Sequence, residues 1–268
     1  MKQLLSIIGI ITISLAATSC AQKSCSTPDG GPMTHLLLAT AWYQQSAEMR
    51  ACYYQAYNLA KVTLKENKQN YKGPKPTAVV LDIDETVLNN SPFEAKLMVD
   101  RQNYSDSAWM AWSAREEAKA LPGAADFISY ARELGVEVFF ISNRIEEERE
   151  RTLKNLAEAG MAVDSAHLLL YDLSKKTSCK DERRDAVSAN YEIILFVGDN
   201  LGDYTSLFDR RDSSLALQLA DSLRDDFGRK FIVLPNPMYG EWENAIYEHK
   251  YSLPMSEKNQ MMLELLDK

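Results

Sequence analysis

Histidine is nearly absent from this chain: only His35, His167 and His249 occur, none of them in an Arg-His-Gly context. A phosphohistidine mechanism therefore lacks its nucleophile, and a dinuclear site built on several histidines lacks its ligands. Cysteine is scarce as well, four residues with no C-x-x-C spacing, so neither a zinc knuckle nor a disulfide framework can be read. Cys25, Cys52 and Cys179 are expected as free thiols, with one bridge among them as the alternative. Basic charge is in deficit, 30 Lys and Arg against 38 Asp and Glu, a net charge of -8. That balance excludes a broad positive surface for a nucleic-acid polymer. An anionic ligand would have to be attracted locally, by a metal or a few side chains. No tandem repeat or low-complexity tract is present.

What is present begins with a targeting pattern. Lys2 is followed by an apolar run from Leu4 to Leu15 and then by small residues up to Cys20. The run is shorter than the roughly 20 apolar residues a membrane span needs, and it fits a secretory signal. The small residues before Cys20 resemble a bacterial lipoprotein cleavage site, with Ala17 where Leu is more usual. Residues 1–20 are therefore expected to be a signal peptide, with Cys20 lipidated as the mature N-terminus. The Ser, Thr, Pro, Asp and Gly composition that follows makes 21–33 a flexible tether. Gln22 shortly after the cysteine favours the outer membrane of a Gram-negative cell envelope. Residues 34–268 are then one globular unit, 46% of the whole chain being hydrophobic, enough for one core with a smaller cap.

Within that unit the stretch 34–72 carries helix-forming residues without an internal break until Gly73-Pro-Lys-Pro76, and predicts one or two amphipathic helices. Apolar runs then recur, each stopping at polar residues: Thr77 to Leu81 at Asp82 and Asp84, Gly135 to Ile141 at Ser142-Asn143-Arg144, Ile193 to Val197 at Gly198-Asp199-Asn200, and Lys230 to Leu234 at Pro235-Asn236. A shorter run, His167 to Leu170, precedes Asp172. Helix-like segments lie between, at Ala124–Glu133, Ile145–Ala159 and Lys180–Asn190. Strands alternating with helices imply a doubly wound, Rossmann-like α/β fold with a parallel sheet. Its polar strand ends converge on one edge, where such sheets bind ligands. The insert at about 87–121 is longer than a crossover needs and carries Tyr104, Trp109 and Trp112, which suits a cap over that edge. A final helix is expected over 255–268.

The polar strand ends define a chemistry. Asp82 and Asp84 are two carboxylates spaced D-x-D, which repel unless a cation or shared proton intervenes. Asp82 and Asp199 with a backbone carbonyl form an oxygen set suited to Mg²⁺. Ser142 and Asn143 supply neutral hydrogen-bond donors, and Lys180 a point positive charge. Together they meet the needs of phosphoryl transfer: a nucleophile, charge neutralisation and a proton for the leaving oxygen. Of the basic run around Lys180, most of Lys175, Lys176, Arg183 and Arg184 are read as a solvated face.

Asp82-Ile-Asp84-Glu-Thr86, Ser142, Lys180 and Gly198-Asp199-Asn200-Leu-Gly-Asp203 fall in the order of the four motifs of the haloacid dehalogenase (HAD) superfamily, which the chain resembles. Asp82 to Pro92, Ile141 to Arg144, Val197 to Leu201 and Pro235 to Trp242 are similar to segments of its class C acid phosphatases, the bacterial lipoprotein acid phosphatases and 5′-nucleotidases. That resemblance implies an HAD-type sheet with N-terminal helices and a cap insert, and hydrolysis of small phosphomonoesters such as nucleoside 5′-monophosphates. It implies Asp82 as nucleophile and metal ligand, and Asp84 as general acid and base whose carbonyl also binds metal. Asp199 would be a direct ligand, and Asp203 would act through water or orient its neighbours. Ser142 and Lys180 would hold the phosphate, with Lys176 the fallback for Lys180. Asn143 and Arg144 are further substrate-binding candidates, and Tyr104, Trp109 and Tyr239 are candidates for stacking on a nucleobase. Tyr204 and Tyr104 stand where the family usually has Phe. The expected partners are a small phosphomonoester, a membrane through the lipid on Cys20, and a second copy of the chain as a homodimer, with no nucleic-acid polymer. The alternative is a non-catalytic surface lipoprotein that retains the fold to bind a ligand.

Overall fold

The structure, a computed structural model, describes residues 36–175 and 177–267. Cys20, the apolar run before it, the 21–33 tether, Cys25 and Lys176 lie outside these residues. Among the described residues no helix is long and apolar enough to cross a membrane, and Cys52 and Cys179 are free thiols.

The N-terminal stretch forms two helices, α1 (Leu37–Gln45) and α2 (Ala47–Asn70). Ser46 divides them: its backbone is extended and its side chain accepts a hydrogen bond from Met49 N, capping α2. The Gly73-to-Pro76 break leads into β1 (Thr77–Leu81), buried along its whole length as expected of a central parallel strand. The insert follows, with β2 (Leu88–Asn89), α3 (Ser91–Asp100), α4 (Asp106–Ser113) and β3 (Lys119–Ala120), where β2 and β3 pair antiparallel. Next come α5 (Ala124–Glu133), β4 (Glu137–Ile145), α6 (Arg149–Glu158), β5 (Leu168–Tyr171), α7 (Asp181–Asn190), β6 (Glu192–Gly198), α8 (Ser213–Ser222), β7 (Phe231–Val233), α9 (Glu241–Ile246) and α10 (Met255–Leu265). The expected helix at 145–159 is shorter, because β4 runs on through Ser142-Asn143-Arg144 to Ile145 with an irregular register against β5. Helices α8 and α9 were not anticipated.

The sheet is parallel in the order β5-β4-β1-β6-β7. Side-chain alternation divides it into two faces. Val79, Leu81, Val138, Phe140, Leu195 and Val197 pack with α2 and α5 residues such as Tyr57, Leu64, Phe127 and Ile128. Ala78, Val80, Phe139, Ile141 and Phe196 pack with Val187 of α7 and with Tyr204 and Phe231. Helices therefore cover both faces, the doubly wound α/β arrangement. Gly123, at φ 86°, leads into α5 where an added Cβ would lie 3.1 Å from Tyr57 Cβ, so this close helix approach requires glycine. The strand order matters most for the site: it sets β4 and β6 on either side of β1, so the residues after all three share one edge.

Candidate active site

Asp82 follows the last residue of β1 and its backbone N–H donates to Val197 O of β6 at 3.0 Å. Asp199 follows β6, and Asp203 lies in the 3-10 turn Leu201–Asp203 beyond it. Carboxylate oxygens of Asp82, Asp199 and Asp203 lie within 4.8 Å of one another. Lys180, just ahead of α7, enters this cluster from the other side of the sheet edge. Its Nζ donates to Asp82 Oδ1, to Asp203 Oδ1 at 2.7 Å and to Ile141 O at 2.8 Å, and it is buried. Gly198 makes room: a Cβ there would stand 2.3 Å from Asp203 Oδ2, so the glycine of this motif is a steric requirement. Asp203 Oδ2 also accepts from Asn200 N at 3.0 Å, so both Asp203 oxygens already have partners.

The charges are out of balance. Burial, followed by Asp203 and Asp84, pushes Asp82 up to about 7 even though Lys180 pulls it down. Asp199 is pushed well above its ordinary value by burial, then by Asp203 and Asp82, with Asn236 and Lys180 opposing. Burial would lower Lys180, yet Asp203 and Asp82 outweigh it and hold the ammonium above its usual range. Three carboxylates facing one ammonium form a hard-oxygen set that a divalent cation fits. Asp82 and Asp199, together with the Asp84 carbonyl, are the residues that could hold it.

Asp84 stands beside this cluster and is held by different groups. The Arg144 guanidinium contacts it from two nitrogens, Nη2 to Oδ1 at 2.8 Å and Nε to Oδ2 at 3.2 Å. Asn90 Nδ2 donates to Oδ1 at 2.7 Å, and Ser142 Oγ lies 3.5 Å from Oδ2. The Arg144 side chain is 1% exposed against 20% for Asp84, so it sits behind the acid rather than open to a ligand. Its Nη1 also donates to Thr152 Oγ1, and the Trp109 ring of the cap lies 5.4 Å from its guanidinium carbon. Asn143 is exposed, and its side-chain oxygen accepts from Arg183 Nη2 at 2.7 Å.

The aromatic candidates separate on inspection. Tyr104 and Trp109 both lie edge-on to Phe93, and Tyr104 is 54% exposed. Trp109 Nε1 donates to Glu148 Oε1 at 3.1 Å. Tyr239 is partly buried and donates its hydroxyl to Glu85 Oε2. Trp112 is buried and its indole N–H bonds Asn90 Oδ1 at 2.9 Å, which makes it packing for the cap. The Tyr204 hydroxyl shares its one proton between the carbonyls of Gly198 and Ile232 and so ties β6 to β7.

The solvated-face reading of the basic run is corrected for its two arginines. Arg183 is partly buried with Nη1 on Ser142 O at 2.5 Å, and Arg184 is buried with Nη1 on Gly202 O and Asp203 O. Both turn inward because the backbone carbonyls of Ser142 in β4 and of Gly202 and Asp203 after β6 need donors that α7 faces. Lys175 is exposed and paired with Glu182. Sequence reasoning also passed over Asn90, Thr86 and Asn236. Thr86 Oγ1 and Asn236 Nδ2 bond the two oxygens of Asp199 at 3.2 and 2.9 Å. Each lies in a segment already picked out for its motif, a signal that marks the segment without showing the contact.

The family model of HAD superfamily, subfamily IIIB (Acid phosphatase) matches residues 32–242. The chain belongs to this family. The class C acid phosphatase of Bacillus anthracis is similar in structure, with a TM-score of 0.82 and 38% identity over 88% of this chain and 98% of that one. A second structure of that phosphatase, with tungstate bound, matches equally. Acid phosphatase 1 of Solanum lycopersicum is 30% identical over 60% of this chain and 57% of its own length. Vegetative storage protein 1 of Arabidopsis thaliana is 29% identical over 60% of this chain and 54% of its own length. The chain thus spans a little over half the length of these plant relatives.

Proposed function

We propose that this HAD family member is a Mg²⁺-dependent phosphomonoesterase acting on nucleoside 5′-monophosphates and other small phosphate esters. The observation that carries the reading is the cluster of Asp82, Asp199, Asp203 and Lys180 at one sheet edge with Asp84 beside it. Asp82 Oδ attacks phosphorus, the ester P–O bond breaks, and the leaving oxygen takes a proton from Asp84. Asp84, now a carboxylate, takes a proton from the water that attacks the aspartyl-phosphate. Phosphate leaves and Asp82 is restored. Lys180 is within reach of both the nucleophile and the incoming phosphate oxygens, and the Ser142 hydroxyl and Asn143 amide are neutral donors at the same edge. Mg²⁺, when bound, supplies positive charge that lets an anionic nucleophile meet an anionic ester.

The cap aromatics Tyr104 and Trp109 provide faces for a nucleobase, and stacking of that kind tolerates any base. Tyr239, its hydroxyl fixed on Glu85, is the third aromatic of this proposed clamp. The lipid on Cys20, anchorage in the outer membrane and a homodimer belong to the same proposal and rest on the signal-like N-terminus and the family resemblance.

The test is hydrolysis of 4-nitrophenyl phosphate and a nucleotide series with Mg²⁺ or chelator, in wild type and Asp82→Asn. The variant should lose at least about a thousandfold in kcat, as enzymes lacking their nucleophile do. Activity that survives both the chelator and the substitution would refute the mechanism. A folded wild type that turns over no monoester with Mg²⁺ would favour a non-catalytic binding protein.

A further inference from the structure

Glu85 lies between Asp84, the proposed general acid, and Thr86, whose hydroxyl bonds Asp199, and its backbone is left-handed at φ 54°. For a residue with a Cβ that conformation costs about 1–2 kcal/mol and persists only where surrounding groups impose it. Here they do, and two of them come from α2. Tyr53 donates its hydroxyl to Glu85 O, and Tyr57 donates to Thr86 O at 2.7 Å. Because the Tyr53 proton is committed to Glu85, the Tyr43 hydroxyl beside it donates to Tyr53, extending the chain to α1. From the other side, Glu85 N donates to Leu88 O at 2.9 Å, and the Glu85 carboxyl accepts from Asn90 N at 2.6 Å and from Tyr239. Tyr43, Tyr53 and Tyr57 are buried among apolar side chains, and none belongs to a motif.

We propose that Tyr53 and Tyr57 are positioning residues for catalysis, their hydroxyls holding the Glu85–Thr86 turn in the conformation that aligns Asp84 and Asp199 on Asp82. The geometry is direct. The turn fixes where the Asp84 side chain and carbonyl leave β1, and Thr86 Oγ1 reaches Asp199 Oδ1 at 3.2 Å. Without the two hydroxyls the strained turn can relax toward ordinary backbone, carrying Asp84 and the Thr86 contact with it. A misplacement on the order of 1 Å costs about a hundredfold in rate where geometry is tight. The N-terminal helices would therefore be part of the catalytic apparatus and not only a cover for one sheet face.

This inference rests on the proposed phosphatase function, and the experiment separates the two. Tyr53→Phe, Tyr57→Phe and the double variant keep the rings and remove only the hydroxyls. Thr63→Val is the control: on the same helix, Thr63 Oγ1 donates to Gly228 O at 2.8 Å, a bond of the same kind to a loop away from the site. Steady-state kinetics on a phosphomonoester and the Mg²⁺ concentration giving half the maximal thermal shift are measured for all four. The tyrosine variants should lose about tenfold or more in kcat with KM within about twofold. Their half-saturating Mg²⁺ should rise about tenfold, since Asp199 and the Asp84 carbonyl shift together. Thr63→Val should lower Tm and change neither readout. Tyrosine variants that lose Tm but no more kcat or Mg²⁺ affinity than Thr63→Val would overturn the positioning role. If the double variant does not fold, Tyr57→Phe alone carries the test. A wild type without turnover would refute the phosphatase function, while the Mg²⁺ thermal shift would still decide whether the hydroxyls set the site.

Discussion

Replacing Arg144 with methionine separates the two roles open to this side chain, contact with substrate phosphate and alignment of the general acid. In the structure its guanidinium grips Asp84 at 2.8 and 3.2 Å, while Asn90 at 2.7 Å restrains only Oδ1. Methionine fills similar volume and leaves Asp84 with one firm partner. General acid catalysis is worth roughly 10²–10⁴ in rate, and loosening the acid should forfeit about one to two decades of it, or about 1.4–2.7 kcal/mol in the barrier. That loss depends on the leaving group. An alkyl phosphate must expel a poor leaving group and needs the proton, whereas 4-nitrophenolate leaves without it. The assay is kcat/KM, which reports the phosphoryl-transfer step, across alkyl and aryl monoesters. A fall of about 10- to 100-fold is expected on alkyl esters and no more than about threefold on 4-nitrophenyl phosphate. Breaking a buried ion pair destabilises by about 3–5 kcal/mol, toward the lower end here because Asp84 keeps some water contact. Circular dichroism at the assay temperature therefore accompanies the kinetics, with Arg144→Lys as a milder second variant. Equal losses on both classes of ester would refute the argument and place Arg144 on the phosphate.

Protonation and metal should compete at the carboxylate cluster. Asp82 at about 7 and Asp199 well above its ordinary value are both raised by burial and like charge. The stabilising contribution of Asp82 is thus complete below about pH 4, the unfolded value, and is lost as pH rises through about 7, and Asp199, also raised, acts in the same direction. Chelated protein should melt at lower temperature at pH 8 than at pH 5, and millimolar Mg²⁺ should raise Tm more at pH 8; equal Mg²⁺ shifts at both would refute this. Glu94 on α3 is a second case, buried with Oε2 lacking a hydrogen-bond partner and raised to about 7 by burial and then by Glu243. The cost of charging it is absent below about pH 4.5, the unfolded value, grows as pH rises and is complete above about 7, so Glu94→Gln should stabilise by on the order of 2–3 kcal/mol at pH 8 and far less at pH 5. Urea titrations at the two values would show it, and a gain independent of pH would count against the mechanism.

The run of apolar residues from Thr77 to Leu81 and its abrupt end in Asp82 were sufficient to place a buried strand with a site beyond it, because strand burial and strand ends are local properties of a sequence. The same locality marked Asp199 after β6 and bounded α5 to the residue, whereas Lys180 was singled out by the motif order of the family the chain resembles, with Lys176 as the alternative. Arg183 and Arg184 show where locality stops. Their charges looked like a solvated surface, yet they point at carbonyls in β4 and after β6 that only the order β5-β4-β1-β6-β7 brings beside α7. Tyr53 and Tyr57 show it again: α2 was legible as an amphipathic helix, but the hydroxyls meet Glu85 and Thr86 only once α2 lies against β1. Arg144 was readable as a site residue, and whether it faces a ligand or the back of Asp84 was not. The sequence alone determined the strands of the sheet and most of the helices between them, since propensity and hydrophobic period act within a few residues. Tertiary structure decided which side chains meet, because Lys180 and Asp82 touch across a separation of 98 residues and no local pattern encodes that approach.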